Sequence, residues 1–360
     1  MTHSPTSPIE SDAVVIGAGP VGLYMVFQLG LQGIHAHVLD VLAWPGGQPV
    51  ELYGDKPIYD IPGLPACTGQ VLADRLTEQA APFNPSYHLG HMVSALAIQA
   101  DGRYLLTTDK GLTLLAKTVF IAAGVGAFVP KKLPLPALTP FEGTQVFYHP
   151  PHTLDMAGCH VVVAGGDQAA LDWALTAVAQ QPTNGVQSVT LLHRRDVLQA
   201  SAASLVHMSA LCASGKLTFM VGQVMDAVPS ATDPTALAGL SIACPNGQRV
   251  DLKADRLVVM QGISPKLGPL TAWGLDMVRK QLAVDTATFQ TSQRGIFAVG
   301  DINTYPGKKK LLVCGFHECV LAAFGAAAYL FPDRNQPLEY TSSSSRLQQL
   351  LGVATTPPSA

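Results

Sequence analysis

Gly17, Gly19 and Gly22 stand at the spacing G-x-G-x-x-G directly after the apolar run Ala13–Ile16, and Asp40 closes a second strand-like run that begins at His35. Each position has a task in a dinucleotide site. The first glycine permits a tight strand-to-helix turn, the second lets a pyrophosphate reach the backbone, and the third lets the helix pack on the sheet. The phosphates then lie at the N-terminus of a helix opening at Pro20, where N–H groups and the helix dipole favour negative charge. A carboxylate about 20 residues on is placed to accept hydrogen bonds from an adenosine ribose. The competing reading is an ordinary strand–helix–strand unit with structural glycines, but strand, glycines and acid together favour the cradle.

The pattern returns in Cys159–Ala170, where Gly165, Gly166 and Asp167 follow an apolar strand. The next strand, from Val189, ends in His193, Arg194 and Arg195 instead of an acid. Two guanidiniums match a 2′-phosphate and favour NADP over NAD, a solvated basic pair being the bland alternative. Ala164 stands where the first glycine belongs, which is tolerable only if φ there stays negative.

Other elements must carry these sites. Residues 44–63 are dense in Gly and Pro and read as an irregular loop in which Gly46–Gly47 allow close approach, Gln48 offers a donor and an acceptor, and Tyr53 is free to stack. A helix is expected from about Gly69 to Ala81, then alternating strands to Leu115, then a buried strand from Thr118 delivering Gly124, Gly126 and Phe128. Val129–Pro136 is a proline-rich crossing that marks a boundary. Ile296–Val299 is a further strand, and it delivers Gly300–Asp301 as a second carboxylate site. The apolar run Cys319–Phe331 falls short of the roughly 20 residues that span a bilayer and reads as a buried helix.

The chain of 360 residues carries a net charge of −3 with 13% charged residues, so neither nucleic acid nor an anionic membrane is expected as the main partner. The N-terminus lacks a basic and apolar leader, and the six scattered cysteines form no C-x-x-C, which points to reduced thiols in a soluble cytoplasmic protein with no metal site.

Two Rossmann-type units in tandem, with a Gly-Asp element returning near the C-terminus, resemble the two-dinucleotide flavoproteins of the thioredoxin-reductase type over about residues 12–341. Those enzymes keep a C-x-x-C before the second glycine motif; here residues 146–159 hold only Cys159, and disulfide exchange needs a dithiol. What remains resembles the type 2 ferredoxin/flavodoxin–NADP reductases. The matching elements include residues 19–23, 46–53, 58–63, 123–128, 172–175, 267–276 and 300–302.

The resemblance implies an α/β fold with an NADPH domain (126–289) inserted into an FAD domain (1–125 and 290–360, with 1–11 and about 343–360 as loose tails). It implies FAD held by Gly17, Gly19, Pro20, Gly22, Asp40, Gly47, Gln48, Tyr53, Val93, Gly124, Phe128, Asp301 and Thr341. NADPH would be held by Gly165, Gly166, Asp167, His193, Arg194 and Arg195. It also implies a homodimer and electron transfer to ferredoxin or flavodoxin through flavin-borne chemistry, without a catalytic side chain. An acidic ferredoxin is expected to dock at Lys308–Lys310 and Lys131–Lys132, although a solvated loop is the commoner fate of such lysines. Ala164, Gln168 and Gln199 depart from the family pattern on the NADPH side, and Glu339 stands where a stacking His is usual, with Tyr340 as a substitute flavin cover. Two rival readings are a diaphorase or quinone reductase with a small-molecule acceptor, and a flavin-binding redox sensor with weakened NADPH use.

Overall fold

The computed structural model describes residues 7–54, 56–148, 150, 154–180, 185–335 and 337–353. The chain forms two compact units, one of residues 1–128 and 265–360, the other of residues 129–264.

The first unit opens with β1 (Ile9–Ile16), α1 (Pro20–Leu31) and β2 (Ala36–Asp40). Ala13, Val14 and Val15 are fully buried, as an inner parallel strand requires. Pro20 starts α1 with its fixed φ where no intrahelical N–H bond is lost. Leu23, Met25, Val26 and Leu29 then bury most of the helix. Residues 47–53, expected as irregular loop, form a short helix α2 (Gly47–Tyr53). Gly46 at φ 117° turns the chain into it, so the glycines that suggested irregularity serve as the helix entry. There follow α3 (Gly69–Ala80), capped by Thr68 accepting from Val71 N at 3.2 Å, and β3 (Ser86–Leu89), β4 (Val93–Ile98), β5 (Tyr104–Thr108) and β6 (Thr113–Ile121).

The second unit places β7 (Val146–Tyr148), β8 (His160–Gly165), α4 (Gln168–Ala179), β9 (Ser188–His193), α5 (Ala202–Ala213) and β10 (Thr218–Val221), with the antiparallel β11 (Gln223–Pro229), β12 (Leu237–Ala243) and β13 (Arg249–Lys253) before β14 (Arg256–Met260). Its five-stranded sheet is parallel in the order β7-β14-β8-β9-β10. Trp173 on α4 is buried in the core beside Leu171, Val163 and Val258.

On returning to the first unit the chain adds a hairpin of β15 (Met277–Val278) and β16 (Gln281–Ala283), then β17 (Ile296–Ala298), β18 (Asn303–Thr304), α6 (Leu312–Leu330) and α7 (Ser345–Leu350). The sequence boundary at 289/290 is corrected to 264/265: Leu270, Leu275 and Leu282 are buried with Val14, Leu39 and Val119 in the core of the first unit. The tail expectation from 343 is corrected as well, because α7 is capped by Ser344 and buries Leu347.

The seven-stranded sheet of the first unit runs β3-β2-β1-β6-β5-β4, with β17 also paired to β6. The nine-residue β6 pairs with β1 along one edge and divides its other edge between two strands: residues 113–116 pair antiparallel with β5, and Val119–Ile121 pair parallel with β17. α6 is longer than its apolar run suggested and has the length and composition of a membrane span. Gly315, Glu318, Cys319, Ala322, Ala323, Ala326 and Ala327 make its buried face, and Cys319 and the alanines join Met25, Val26 and Leu29 of α1 in the core. Arg279 and Lys280 occupy both central positions of the β15–β16 turn at φ 49° and 67°. For non-glycine residues this costs about 1–3 kcal/mol each.

Phe120 on β6 and Phe297 on β17 are buried and stacked, ring centroids 5.0 Å apart at 10°. Phe297→Ala is expected to lower the stability of this unit by about 3–5 kcal/mol in urea unfolding.

Candidate functional site

Strands β1, β2, β6 and β17 all run parallel, so their carboxyl ends open on one side of the sheet, and β1 lies between β2 and β6 where the strand order reverses. Open α/β sheets bind ligands at such a point. A cavity of about 320 Å³ lies there, lined by residues that end each strand: Ile16 and Gly17, Leu39 and Asp40, Ala122 to Gly124, and Val299 to Asp301.

Gly17 holds φ 113°, donates to Leu39 O at 2.8 Å, and has no room for a side chain: a Cβ would lie 2.4 Å from Ala122 O. At Gly22 a Cβ would come within 1.8 Å of Gly17 O, so glycine there lets α1 begin against the turn. No side chain caps α1 and its first turn holds no acid, so its leading N–H groups remain available for an anion.

Asp40 does more than its position at the strand end suggested. Its Oδ2 accepts from Ala18 N at 2.6 Å and its Oδ1 from Leu42 N at 2.8 Å, tying the glycine turn to the end of β2. Burial pushes this carboxyl above the usual carboxylate range, while the backbone donors pull it back. Each oxygen keeps acceptor capacity for a ribose hydroxyl.

Asp301, in the turn after β17, also lines the cavity; burial raises its carboxyl, and Lys308 and Lys310 lower it. The turn is held from beneath by Glu318, which is fully buried on α6. Its Oε2 accepts from Gly300 N at 2.7 Å and Asn303 Nδ2 at 2.8 Å, and its Oε1 accepts from Tyr305 hydroxyl at 3.0 Å and from Lys308 Nζ. Lys308 Nζ also donates to Gly300 O at 2.8 Å. Burial and the Glu318 acceptor push the Tyr305 hydroxyl up to about 12. This corrects the docking role expected of Lys308, whose side chain is only 6% exposed. An acid and a base near an otherwise apolar helix were the sequence signal for an internal pair.

Pro20, Gly19, Gly47, Gln48, Val93 and Gly124 line the cavity as expected. Trp273 lines it too, and its buried indole N–H has no hydrogen-bond partner among the described residues, a donor that the sequence did not flag. The side chains of Tyr53 and Phe128 lie outside the described residues. Tyr340 and Thr341 are exposed and do not line the cavity. Their segment is fastened elsewhere, Glu339 accepting from Ser344 Oγ at 2.7 Å and from Arg346, whose Nη1 donates to Leu31 O at the far end of α1.

In the second unit Gly165 ends β8 and His193 ends the neighbouring β9. The His193 ring lies over Gly166, where a Cβ would come within 2.2 Å of it, and the Arg194 and Arg195 side chains are exposed beyond. Burial, then the two arginines, disfavour protonation of His193. Asp167 caps α4, accepting from Ala170 N at 3.0 Å. Ala164 lies within β8, paired with Leu192 and Val259, and is not among the residues at positive φ; the strand extends where a glycine would turn. Gln168 donates to Asp172 and Ser204 and accepts from Ser201 N at 2.7 Å, fastening the start of α5.

Breaking the Glu318–Lys308 pair from one side strands a buried charge. Glu318→Gln is expected to destabilise by about 3–5 kcal/mol, and the double variant Glu318→Leu/Lys308→Met by clearly less, in chemical denaturation of the two side by side.

The family model described as pyridine nucleotide-disulphide oxidoreductase matches residues 11–317. A ferredoxin–NADP reductase of Acidovorax sp. (strain JS42) is 54% identical over 98% of this chain and 99% of its own length. One from Polaromonas naphthalenivorans (strain CJ2) is 51% identical over 96% of this chain and 93% of its own. Among solved structures, thioredoxin reductase of Lactococcus lactis in its FR conformation superposes with a TM-score of 0.54 at 20% identity, over 89% of this chain and 99% of that one, a likeness of fold. The chain belongs to the pyridine nucleotide-disulphide oxidoreductase family and, within it, groups with the ferredoxin–NADP reductases.

Proposed function

We propose that this chain is an FAD-dependent reductase that passes electrons between NADPH and a one-electron protein carrier, ferredoxin, with flavodoxin as an alternative carrier. The observation that carries the reading is the convergence of four parallel strand ends on one cavity, with a glycine turn too tight for any Cβ and two carboxylates at its rim. These features fit FAD. The α1 N-terminus receives the pyrophosphate, Asp40 the adenosine ribose and Asp301 the ribitol, and the apolar wall from Val93, Leu270 and Leu312 suits flat rings. When bound, FAD supplies the chemistry by taking a hydride at N5 and releasing electrons one at a time.

The protein's own contribution is placement. Glu318 and Lys308 hold the Gly300–Asp301 turn, Asp40 holds the glycine turn, and no side chain needs to move a proton. Gly165, Gly166, His193, Arg194 and Arg195 form the site for NADPH, with the two exposed guanidiniums available to a 2′-phosphate. All six cysteines are free, which suits a carrier reductase and not a dithiol enzyme, and supports a cytoplasmic location. The homodimer rests on the family resemblance. The names of the relatives favour a ferredoxin over a small-molecule acceptor.

Purified protein is expected to show a flavin absorption band that NADPH bleaches anaerobically faster than NADH. Arg194→Ala/Arg195→Ala should raise the KM for NADPH by roughly tenfold or more while leaving that for NADH nearly unchanged. A protein that takes up no FAD would overturn the reading. Because the Asp40 carboxyl is raised above the usual value near 4, FAD affinity is expected to weaken as pH is lowered through the window above that value, where protonation removes an acceptor. Equilibrium FAD titrations of wild type and Asp40→Asn across pH 4–7 check this, the variant being weaker near pH 7 and flat, with wild type falling toward it at the acid end.

A further inference from the structure

A second cavity, of about 470 Å³, adjoins the first in the same unit and shares Gly124, Val125, Leu267, Asp301 and Lys310 with it. Four cationic side chains line it, Lys266, Arg279, Lys280 and Lys310, against the single carboxylate of Asp301. All four are exposed, and among the described residues none forms an ion pair. Lys308, Lys117, Lys132, Arg103 and Arg346, by contrast, each meet a carboxylate. That includes Lys132, one of the lysines expected to dock a partner.

Arg279 and Lys280 are held there at a backbone cost. A two-residue hairpin turn with both central residues at positive φ is suited to Asn-Gly, yet this one carries two long cations. Strain kept at a cavity points to use. The cations are accompanied by apolar side chains open to solvent, Val278 (54%) beside Arg279 and Leu311 (47%) beside Lys310. A cluster of one charge sign beside exposed apolar groups suits a partner of the opposite charge, whose encounter it would steer.

We propose that this basic hairpin face, Lys266, Arg279, Lys280 and Lys310, is where an acidic electron-carrier protein docks, its surface carboxylates set against the four cations, of which Lys310 also lines the cofactor cavity. The proposal rests on the carrier-reductase reading and names the surface that the reading leaves open. Charge complementarity of this kind sets encounter rate and salt sensitivity.

The decisive variant is Arg279→Asn/Lys280→Gly, which relieves the turn while removing two charges; Lys266→Gln removes a third from outside the hairpin. The probe is a purified bacterial ferredoxin of net negative charge, titrated against the holoenzyme at low and high salt. The hairpin variant is expected to melt at a higher temperature than wild type yet bind ferredoxin roughly tenfold more weakly at low salt, with a shallower salt dependence, and Lys266→Gln should shift both in the same direction. A rise in melting temperature with weaker binding cannot come from misfolding. Unchanged affinity and salt slope in both variants would overturn the docking face. NADPH-driven ferredoxin reduction by wild type is read separately: binding without turnover faults the proposed function and leaves the face standing.

Discussion

Two backbone contacts with no room for a methyl group, Gly17 against Ala122 and Gly22 against Gly17, set the geometry on which the first unit depends. They bring the end of β1, the start of α1 and the exit of β6 to one point. Asp40 then locks the arrangement from the side by accepting the Ala18 N–H. Because the turn is made by steric closeness and not by flexible side chains, the cavity is formed before any ligand arrives, which lowers the ordering cost of binding.

The second support is electrostatic. Glu318 sits fully buried in a helix whose other inward residues are small and apolar, and four donors from the Gly300–Lys308 segment satisfy its oxygens. A buried ion pair seldom adds net stability, but it fixes one arrangement of its partners because every alternative leaves a charge unmet. Here the arrangement it fixes is the turn carrying Asp301. The two carboxylates at the rim are thus set by different means, one by backbone donors and one by a charge beneath.

Much of this was legible in the sequence, because glycine spacing and apolar strands report backbone geometry directly. The two glycine motifs, Asp40 and Asp301 all fell at the ends of parallel strands. What escaped involves contacts across long sequence separations. Nothing local says that residues 265–289 pack with Val14 and Val119, or that Arg279 and Lys280 occupy a left-handed turn. Gly46–Gly47 read as irregular since the same residues serve loops and helix entries. Only the family resemblance puts the segment around Tyr340 at the flavin, and in this chain it is tied to the end of α1.

The first unit is discontinuous, and its sheet is completed by β17, some 175 residues after β6. During synthesis the second unit, being contiguous, has all its strands out of the ribosome while Val119–Ile121 of β6 still lack their neighbour and α1 lacks the cover of α6. The nascent chain therefore carries an open, apolar parallel edge for the time needed to make the whole insert, at translation rates of about 5–20 residues per second. An apolar stretch of unpaired strand held open for that long is a demand on chaperones that a contiguous fold of the same size would not make.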